Sequence, residues 1–297
     1  MRVVSVRKGN LFRLGVLKGD RVLDLVDLTL ESGGSAPFLA NMELFLEAGV
    51  EAQDWVNKLL TDSSGRAQGR LITSLELGPP VPRPSKIIAV GLNYKDHVGE
   101  AGFQLPESPL IFAKFPNSIS GPQDEIVIPS EEMQVDSEAE LAVVIGRRAK
   151  AITPESAHEY VAGYMGLNDV SARKWQFADK QWTRGKSCDT FCPTGPWLAT
   201  RDEIPDPHNL RISGRLNSQV FQESNTSHLI FRIPELLSYI SAAITLEPGD
   251  IIATGTPSGV GVFRKPPIFM KDGDIAEVEI EKLGLLRNRV RVSGRFV

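Results

Sequence analysis

"VDSEAELAVVIG", residues 135–146, is the stretch on which the reading of this chain turns. Leu141, Ala142, Val143, Val144 and Ile145 run without a polar break, as in a strand entering a core. Asp136, Glu138 and Glu140 lead directly into that run. Side chains alternate faces along a strand, so Glu138 and Glu140 share a face about 7 Å apart, twice the ~3.3 Å rise per residue. Two readings account for the pair. In one, the acids lie on the solvated face of an edge strand, where acid and apolar residues commonly alternate. In the other they hold a hard cation such as Mg²⁺, Mn²⁺ or Ca²⁺, which takes oxygen ligands and turns repulsion into binding. A cation site asks for a further carboxylate. Asp169 is the first candidate, and Asp136, on the face of Glu138, is the second.

The chain is long enough, at 297 residues, for one large or two moderate domains. Hydrophobic residues make up 41% and charged residues 24%, and acids and bases are well mixed around a net charge of −4. That balance argues against a nucleic-acid surface or a membrane patch. No apolar run is long enough to span a bilayer. The opening "MRVVSVRKGNLFRLG" lacks the apolar core and small-residue cleavage site of a secretory signal. Cys188 and Cys192 are the only cysteines, too few for a disulfide framework or a Cys-built zinc site. The expectation is a reducing, cytoplasmic compartment.

Residues 1–30 read as a small β-meander, with turns at Lys8-Gly9-Asn10 and Lys18-Gly19-Asp20. A helical stretch follows over roughly 38–61. "LGPPVPRPSK", 77–86, carries four prolines and can continue neither a helix nor a central strand. The expected organisation is a small N-terminal α+β domain (1–76), a Pro-rich linker (77–85) and a larger domain (86–297). In the latter, strands are expected at 86–94, 124–129, 139–146, 249–261 and 273–292, with a hairpin over 209–224. A short amphipathic helix is expected at 233–244, and the main helix at 154–176. Strands outnumber helices without regular alternation, so the fold class is a mixed, β-rich α+β architecture.

Further chemistry is suggested outside the acidic strand. His97 and Glu100, in "GLNYKDHVGE", are spaced to share one helical face, and a carboxylate that orients an imidazole makes a general base. The plainer alternative is a histidine with no catalytic part. Lys186, in "RGKSCDTFCPTGP", could hold a substrate carboxylate or enolate, or simply be solvated. "ATGTPSGVG", 253–261, lacks the spacing of a phosphate loop. It reads instead as a tight turn whose N–H groups, around Gly255, and Thr256 hydroxyl face a small anion. Cys188 and Cys192 read as packed small side chains, since nothing argues for a lowered thiol pKa. Residues 93–108, interrupted by Gly99, Gly102 and Pro106, suggest a segment that closes over a site.

Taken in order, "GLNYKDHVGE", "VDSEAELAVVIG", "NDVSARKWQ", "GKSCDTFCPTGP" and "GTPSGVG" closely resemble the fumarylacetoacetate hydrolase family, over essentially everything from Lys86 onward. The resemblance is nearest the domain-containing members with a short N-terminal domain. It implies a β-roll or β-sandwich catalytic domain, a homodimer, and one divalent cation per subunit, Mg²⁺ or Mn²⁺ with Ca²⁺ able to substitute. It implies Glu138, Glu140 and Asp169 as metal ligands and His97, Glu100 and Lys186 as catalytic residues. Gln176 and Thr256 then bind substrate, with Gly255 beside them. One departure is Lys180, which by spacing stands where the animal hydrolase has a tyrosine gripping its long substrate. With Arg173, Arg184 and Gln176 it suggests a polar, cationic pocket for the substrate's tail.

The function implied is metal-dependent hydrolysis or lysis of a C–C bond in a small 2,4-diketo or 2-keto acid. The alternative is oxaloacetate decarboxylation or keto–enol tautomerisation, as in 2-hydroxyhepta-2,4-diene-1,7-dioate isomerase. A third reading, a binding protein with a decayed site, is opposed by the presence of His97, Glu100, Glu138, Glu140, Asp169 and Lys186 together.

Overall fold

The apolar run that follows Glu140 forms strand Ala139–Ile145, every residue of which is buried. Its two faces serve two cores. Leu141, Val143 and Ile145 join one cluster, and Ala142 and Val144 the other. This double burial explains why the sequence shows no alternation there. The computed structural model describes residues 1–62, 68–102 and 104–294. Strand Ala139–Ile145 lies inside an eleven-stranded mixed sheet, flanked by antiparallel strands Val161–Asn168 and Ile251–Ala253. Ile251–Ala253 pairs in parallel with Ile87–Gly91, and Leu110–Lys114 closes that edge.

At the other end the sheet continues into the N-terminal meander. Arg2–Lys8 pairs with Cys192–Thr200 and leads on to Leu11–Lys18 and Arg21–Asp24. Gly9 and Gly19 take positive φ at the two turns, as expected of meander turns. Helices Met42–Ala48 and Val50–Asp62, separated at Gly49, cover the second core with Met42, Phe45, Leu46, Ala52 and Val56. The proline-rich stretch runs packed against the molecule, with Leu77, Gly78, Pro79, Pro80 and Val81 buried.

A five-stranded sheet packs on the first core. It runs Gln219–Asn225, Arg211–Leu216, Ile275–Ile280, Gly284–Val292 and Ile126–Ile128. The expected hairpin turns at Asn217 and Ser218, both at positive φ, which fits the right-handed twist of its strands. Ile212, Val278, Ile280 and Leu286 of this sheet meet Leu141 and Val143 of the larger one, beside helix Ile233–Ala243. The fold is thus the expected β-rich α+β class. Among the described residues no helix is long and apolar enough to cross a membrane.

The expected main helix at 154–176 is not formed. That stretch holds a 3₁₀ turn, Ala157–Tyr160, the buried strand Val161–Asn168, a short strand Ser171–Ala172 and only then helix Arg173–Asp179. A continuous apolar run does not distinguish a doubly buried strand from a helix by period. Its glycines carry the missing signal. A Cβ on Gly163 would collide with the carbonyl of Ala199 on the next strand. Leu237 is fully buried in the first core beneath helix Ile233–Ala243. Leu237→Ala should therefore cost about 2–5 kcal/mol in urea unfolding; a loss under about 1 kcal/mol would show that the helix is not part of that core's cooperative unit.

Candidate metal and keto-acid site

Strand pairing brings the acids together. Ala139 is registered opposite Asn168, so the residue after the second strand, Asp169, lies beside Glu138 and donates its backbone N–H to the Glu138 carbonyl at 2.9 Å. The Asn168 side chain accepts from the Glu138 N–H at 3.0 Å and fixes the approach to the strand. One oxygen from each of Glu138, Glu140 and Asp169 can be chosen so that all lie within 4.8 Å of one another, and all three residues are buried. The donors are carboxylate oxygens alone, a set suited to Mg²⁺, Mn²⁺ or Ca²⁺ rather than to zinc. The residues therefore fit a hard divalent cation.

Each carboxylate is also held from behind. Glu138 Oε1 lies 2.6 Å from Arg173 Nη2. Glu140 Oε2 accepts the Gly255 N–H at 2.8 Å, and Asp169 Oδ1 accepts from Lys114 Nζ at 2.7 Å. Lys186 Nζ donates to Glu138 Oε2 at 2.8 Å and to Asp169 Oδ2 at 2.7 Å. These environments divide the two glutamates. Burial alone would raise Glu138, but Lys186 and Arg173 outweigh it and hold its carboxyl well below the usual range. Burial raises Glu140, and the charges of Asp169 and Glu138 raise it further. Burial works against the Lys186 ammonium, yet Asp169 and Glu138 keep its pKa above the ordinary lysine value.

Asp136, the second candidate for a ligand, has another task. Its Oδ2 accepts from Arg173 Nε and Nη2, and its two oxygens receive the N–H groups of Gly261 and Val262. It is a brace for Arg173. Arg173 in turn donates from Nη1 to Gln176 Oε1 at 2.9 Å, which leaves the Gln176 amide nitrogen as that side chain's unspent donor group.

The acids form the floor of a cavity of ≈ 270 Å³. His97, Arg173, Gln176, Lys186 and Thr256 line it with them. His97 and Glu100 lie on helix Lys95–Ala101, with His97 Nδ1 3.5 Å from Glu100 Oε2. Glu100 accepts the Gly259 N–H at 3.0 Å. Burial would raise Glu100, but the pairing with His97 and the Gly259 N–H prevail and lower it. Asp96 anchors the same helix by accepting from Ser224 Oγ at 2.7 Å. Of the segment expected to close over the site, Phe103 lies outside the described residues. Gly255 serves Glu140, and Thr256 Oγ1 donates to the Ala139 carbonyl while accepting from Gln222. The expected anion-facing turn thus spends these two donors on the acidic strand.

Of the expected cationic tail pocket, Arg173 and Gln176 line the cavity, but Lys180 and Arg184 do not. Lys180 is exposed at the end of helix Arg173–Asp179, and Arg184 pairs with Asp179 and stacks on Trp175. The walls are aromatic instead: Phe112, Phe177, Trp182 and Phe263. Trp182 meets Phe112 edge-on, with ring centroids 5.2 Å apart. Sequence reasoning missed these rings and missed Lys114, which is buried at the end of the apolar strand "LIFAK". Cys188 and Cys192 are unlinked, and burial pushes their thiols up to about 11 and about 12.

A buried all-carboxylate cluster beside a lysine, an imidazole and an aromatic-walled cavity is an arrangement that fits a hard divalent cation. Residues 86–291 match the family model for the fumarylacetoacetate (FAA) hydrolase C-terminal domain. The chain belongs to the fumarylacetoacetate hydrolase family. It is 48% identical over 250 residues to the mitochondrial oxaloacetate tautomerase Fahd2a of Rattus norvegicus, covering 84% of this chain and 79% of that protein. It is 53% identical over 213 residues to oxaloacetate tautomerase FAHD2A, mitochondrial, of Bos taurus, covering 71% of this chain and 68% of that one. Among solved structures, maleylpyruvate hydrolase from Sphingobium sp. SYK-6, in complex with manganese(II) and pyruvate, superposes with a TM-score of 0.79. It is 32% identical and the match covers 98% of this chain and 99% of that one.

The relatives overturn the cytoplasmic expectation, since the rat and bovine proteins are both named as mitochondrial. The cysteine count excluded only an oxidising setting and never separated one reducing compartment from another. The relatives' names also favour the tautomerase alternative over C–C hydrolysis.

Glu138→Gln and Asp169→Asn should each abolish Mn²⁺ binding followed by electron paramagnetic resonance while circular dichroism stays unchanged; full-affinity binding in either variant would exclude that residue as a ligand. The lowered Glu100 gives a second expectation. Its contribution to stability is fully present above the unfolded carboxyl pKa of about 4.3 and is lost as pH falls through the lower folded value. Glu100→Gln should therefore melt below wild type at pH 7, and the two should converge in acid. A gap that does not close would assign the difference to something other than this ionisation.

Proposed function

We propose that this chain is a divalent-cation-dependent keto–enol tautomerase of a small 2-keto dicarboxylic acid of the oxaloacetate type. The observation that carries the reading is the placing of Glu138, Glu140, Asp169, Lys186 and His97 around one cavity of ≈ 270 Å³, a size suited to a four-carbon acid. The names of the rat and bovine relatives support the same reaction. Glu138, Glu140 and Asp169 would hold Mg²⁺ or Mn²⁺, with Ca²⁺ able to substitute. When bound, the cation supplies Lewis acidity toward the oxygens of the 2-keto acid head.

The reaction moves one proton. A C3–H bond breaks, the electron pair shifts to the 2-oxygen, and an O–H bond forms there; the reverse restores the ketone. His97 exchanges the C3 proton through Nε2, because Nδ1 faces Glu100. Glu100, held ionised by Gly259 and His97, stabilises the imidazolium that forms. Lys186 donates toward the 2-oxygen as negative charge develops on it. The Gln176 amide nitrogen, set by the Arg173 bond to its oxygen, offers a donor to the distal carboxylate. Phe112, Phe177, Trp182 and Phe263 keep bulk water from trapping the enolate. No step requires an attacking water, which separates this reading from hydrolysis. A homodimer, which rests on the family resemblance, and the division into an N-terminal domain (1–76), a linker (77–85) and a catalytic domain (86–297), which rests on the proline-rich stretch, are part of the proposal.

With Mg²⁺ present, the protein should accelerate loss of the ultraviolet absorbance of enol-oxaloacetate, and excess EDTA should abolish the effect. His97→Ala should reduce the rate about 10²–10⁴-fold. Faster cleavage of an acylpyruvate than tautomerisation of oxaloacetate would return the assignment to a C–C hydrolase.

A further inference from the structure

Lys114 ends strand Leu110–Lys114, registered opposite Ile87 at the edge of the large sheet. Its side chain is fully shielded from solvent. An ammonium carries three donors, and three oxygens receive them: Asp169 Oδ1 at 2.7 Å, the Val170 carbonyl at 3.4 Å, and the Lys186 carbonyl. These acceptors belong to two separate segments. One is the loop after strand Val161–Asn168, and the other is the end of the short helix Thr183–Lys186. Neighbouring bonds tie the same strand end to the second segment, since the Phe115 N–H donates to Ser187 Oγ at 3.0 Å and Asn117 Nδ2 to the Ser187 carbonyl at 3.0 Å. Lys114 does not line the cavity.

We infer that Lys114 is a positioning residue that fixes the metal-binding geometry of Asp169 and the reach of Lys186 from one buried nitrogen. By occupying Asp169 Oδ1 it leaves Oδ2, the oxygen that the Lys186 ammonium also meets, to face the cation, so that Asp169 ligates through one oxygen. By holding the Lys186 carbonyl it sets the backbone from which the Lys186 ammonium meets that same Oδ2. Partners of this kind, behind a ligand, orient it and commonly change metal affinity about 10–100-fold when removed. The alternative is a plain structural lysine, which would stabilise the fold without selecting a coordination mode.

The inference rests on the metal reading of the acidic cluster, and the test separates the two. Mn²⁺ affinity is measured by electron paramagnetic resonance for wild type, Lys114→Met and Lys114→Gln, with thermal unfolding in EDTA as the measure of folding. Crystal structures with Mn²⁺ give the ligation of Asp169. The expected result is one-oxygen ligation through Oδ2 in wild type, an affinity about 10–100-fold weaker in Lys114→Met, and a turned or two-oxygen Asp169 in that variant. Lys114→Gln, which keeps one donor without the charge, should fall between. If variants melt earlier but bind Mn²⁺ as wild type does, with Asp169 unchanged, Lys114 is structural only and the inference fails while the metal site stands. If neither variant folds, the wild-type structure decides: Asp169 ligating through both oxygens overturns the inference. Wild type that binds no Mn²⁺ overturns the metal reading itself.

Discussion

Four carboxylates and three cations share one buried end of the large sheet. Asp136, Glu138, Glu140 and Asp169 face Lys114, Arg173 and Lys186, and all seven are buried. Removing each charge from water costs several kcal/mol after relaxation, and only close pairing with well-placed hydrogen bonds recovers it. The architecture around them serves that recovery. Arg173 spans Asp136 and Glu138, Lys186 spans Glu138 and Asp169, and Lys114 takes the far oxygen of Asp169. Such a set is a poor way to stabilise a fold, because apolar residues of similar volume would serve as well or better. The two large apolar clusters supply the stability that this end of the molecule spends.

The acids are delivered by strands whose other residues are committed to packing. Glu140 continues into Leu141, Ala142, Val143 and Val144, which fill both cores, so the strand cannot slip by one residue without turning every side chain to the opposite face. Register is thereby locked by the apolar part of the strand and used by the polar part. Asp169 inherits its place from the pairing of Ala139 with Asn168 in the same way. The imidazole is held differently. Its helix is pinned at Asp96 by Ser224 and at Glu100 by the Gly259 N–H, with Val98 buried beneath it.

What the sequence made legible followed from short-range rules. The meander turns, the 209–224 hairpin, the helix beginning at Ile233 and the acid-bearing strand were all visible in turn residues and apolar runs. The grouping of Glu138, Glu140 and Asp169 was visible in the repulsion of an acidic pair entering a core, strengthened by the family resemblance. The stretch 154–176 was misread because a strand buried on both faces has no period to detect. The pairing of Asp136 with Arg173 and of Lys114 with Asp169 was unreadable for another reason. The partners are 37 and 55 positions apart in the chain, and nothing local distinguishes a buried cation from a solvated one. The polar tail pocket failed in part on the same point: Arg173 and Gln176 line the cavity, but Lys180 and Arg184, near the site in sequence, are exposed.

Charge arithmetic gives the cluster a direction. With all four carboxylates ionised, as ligation of a cation requires of the raised Glu140, four against three cations leave one negative charge, and a divalent cation would convert that to one positive charge among these groups. The cavity above them contributes His97 and neutral aromatic walls, with no further carboxylate among its lining residues. A monovalent acid head would neutralise the excess, and the second carboxylate of a dicarboxylic acid would then meet only the Gln176 amide and the imidazole. The enolate of such an acid carries one more negative charge than its ketone; net charge does not favour it, but the added charge would sit on the 2-oxygen, facing the cation and the Lys186 ammonium. Preference for the charge-enriched state, rather than tight binding of the ketone, is what acceleration of a proton transfer requires. The aromatic walls add to it without adding charge, because a site screened from water weakens every field less than an open one does.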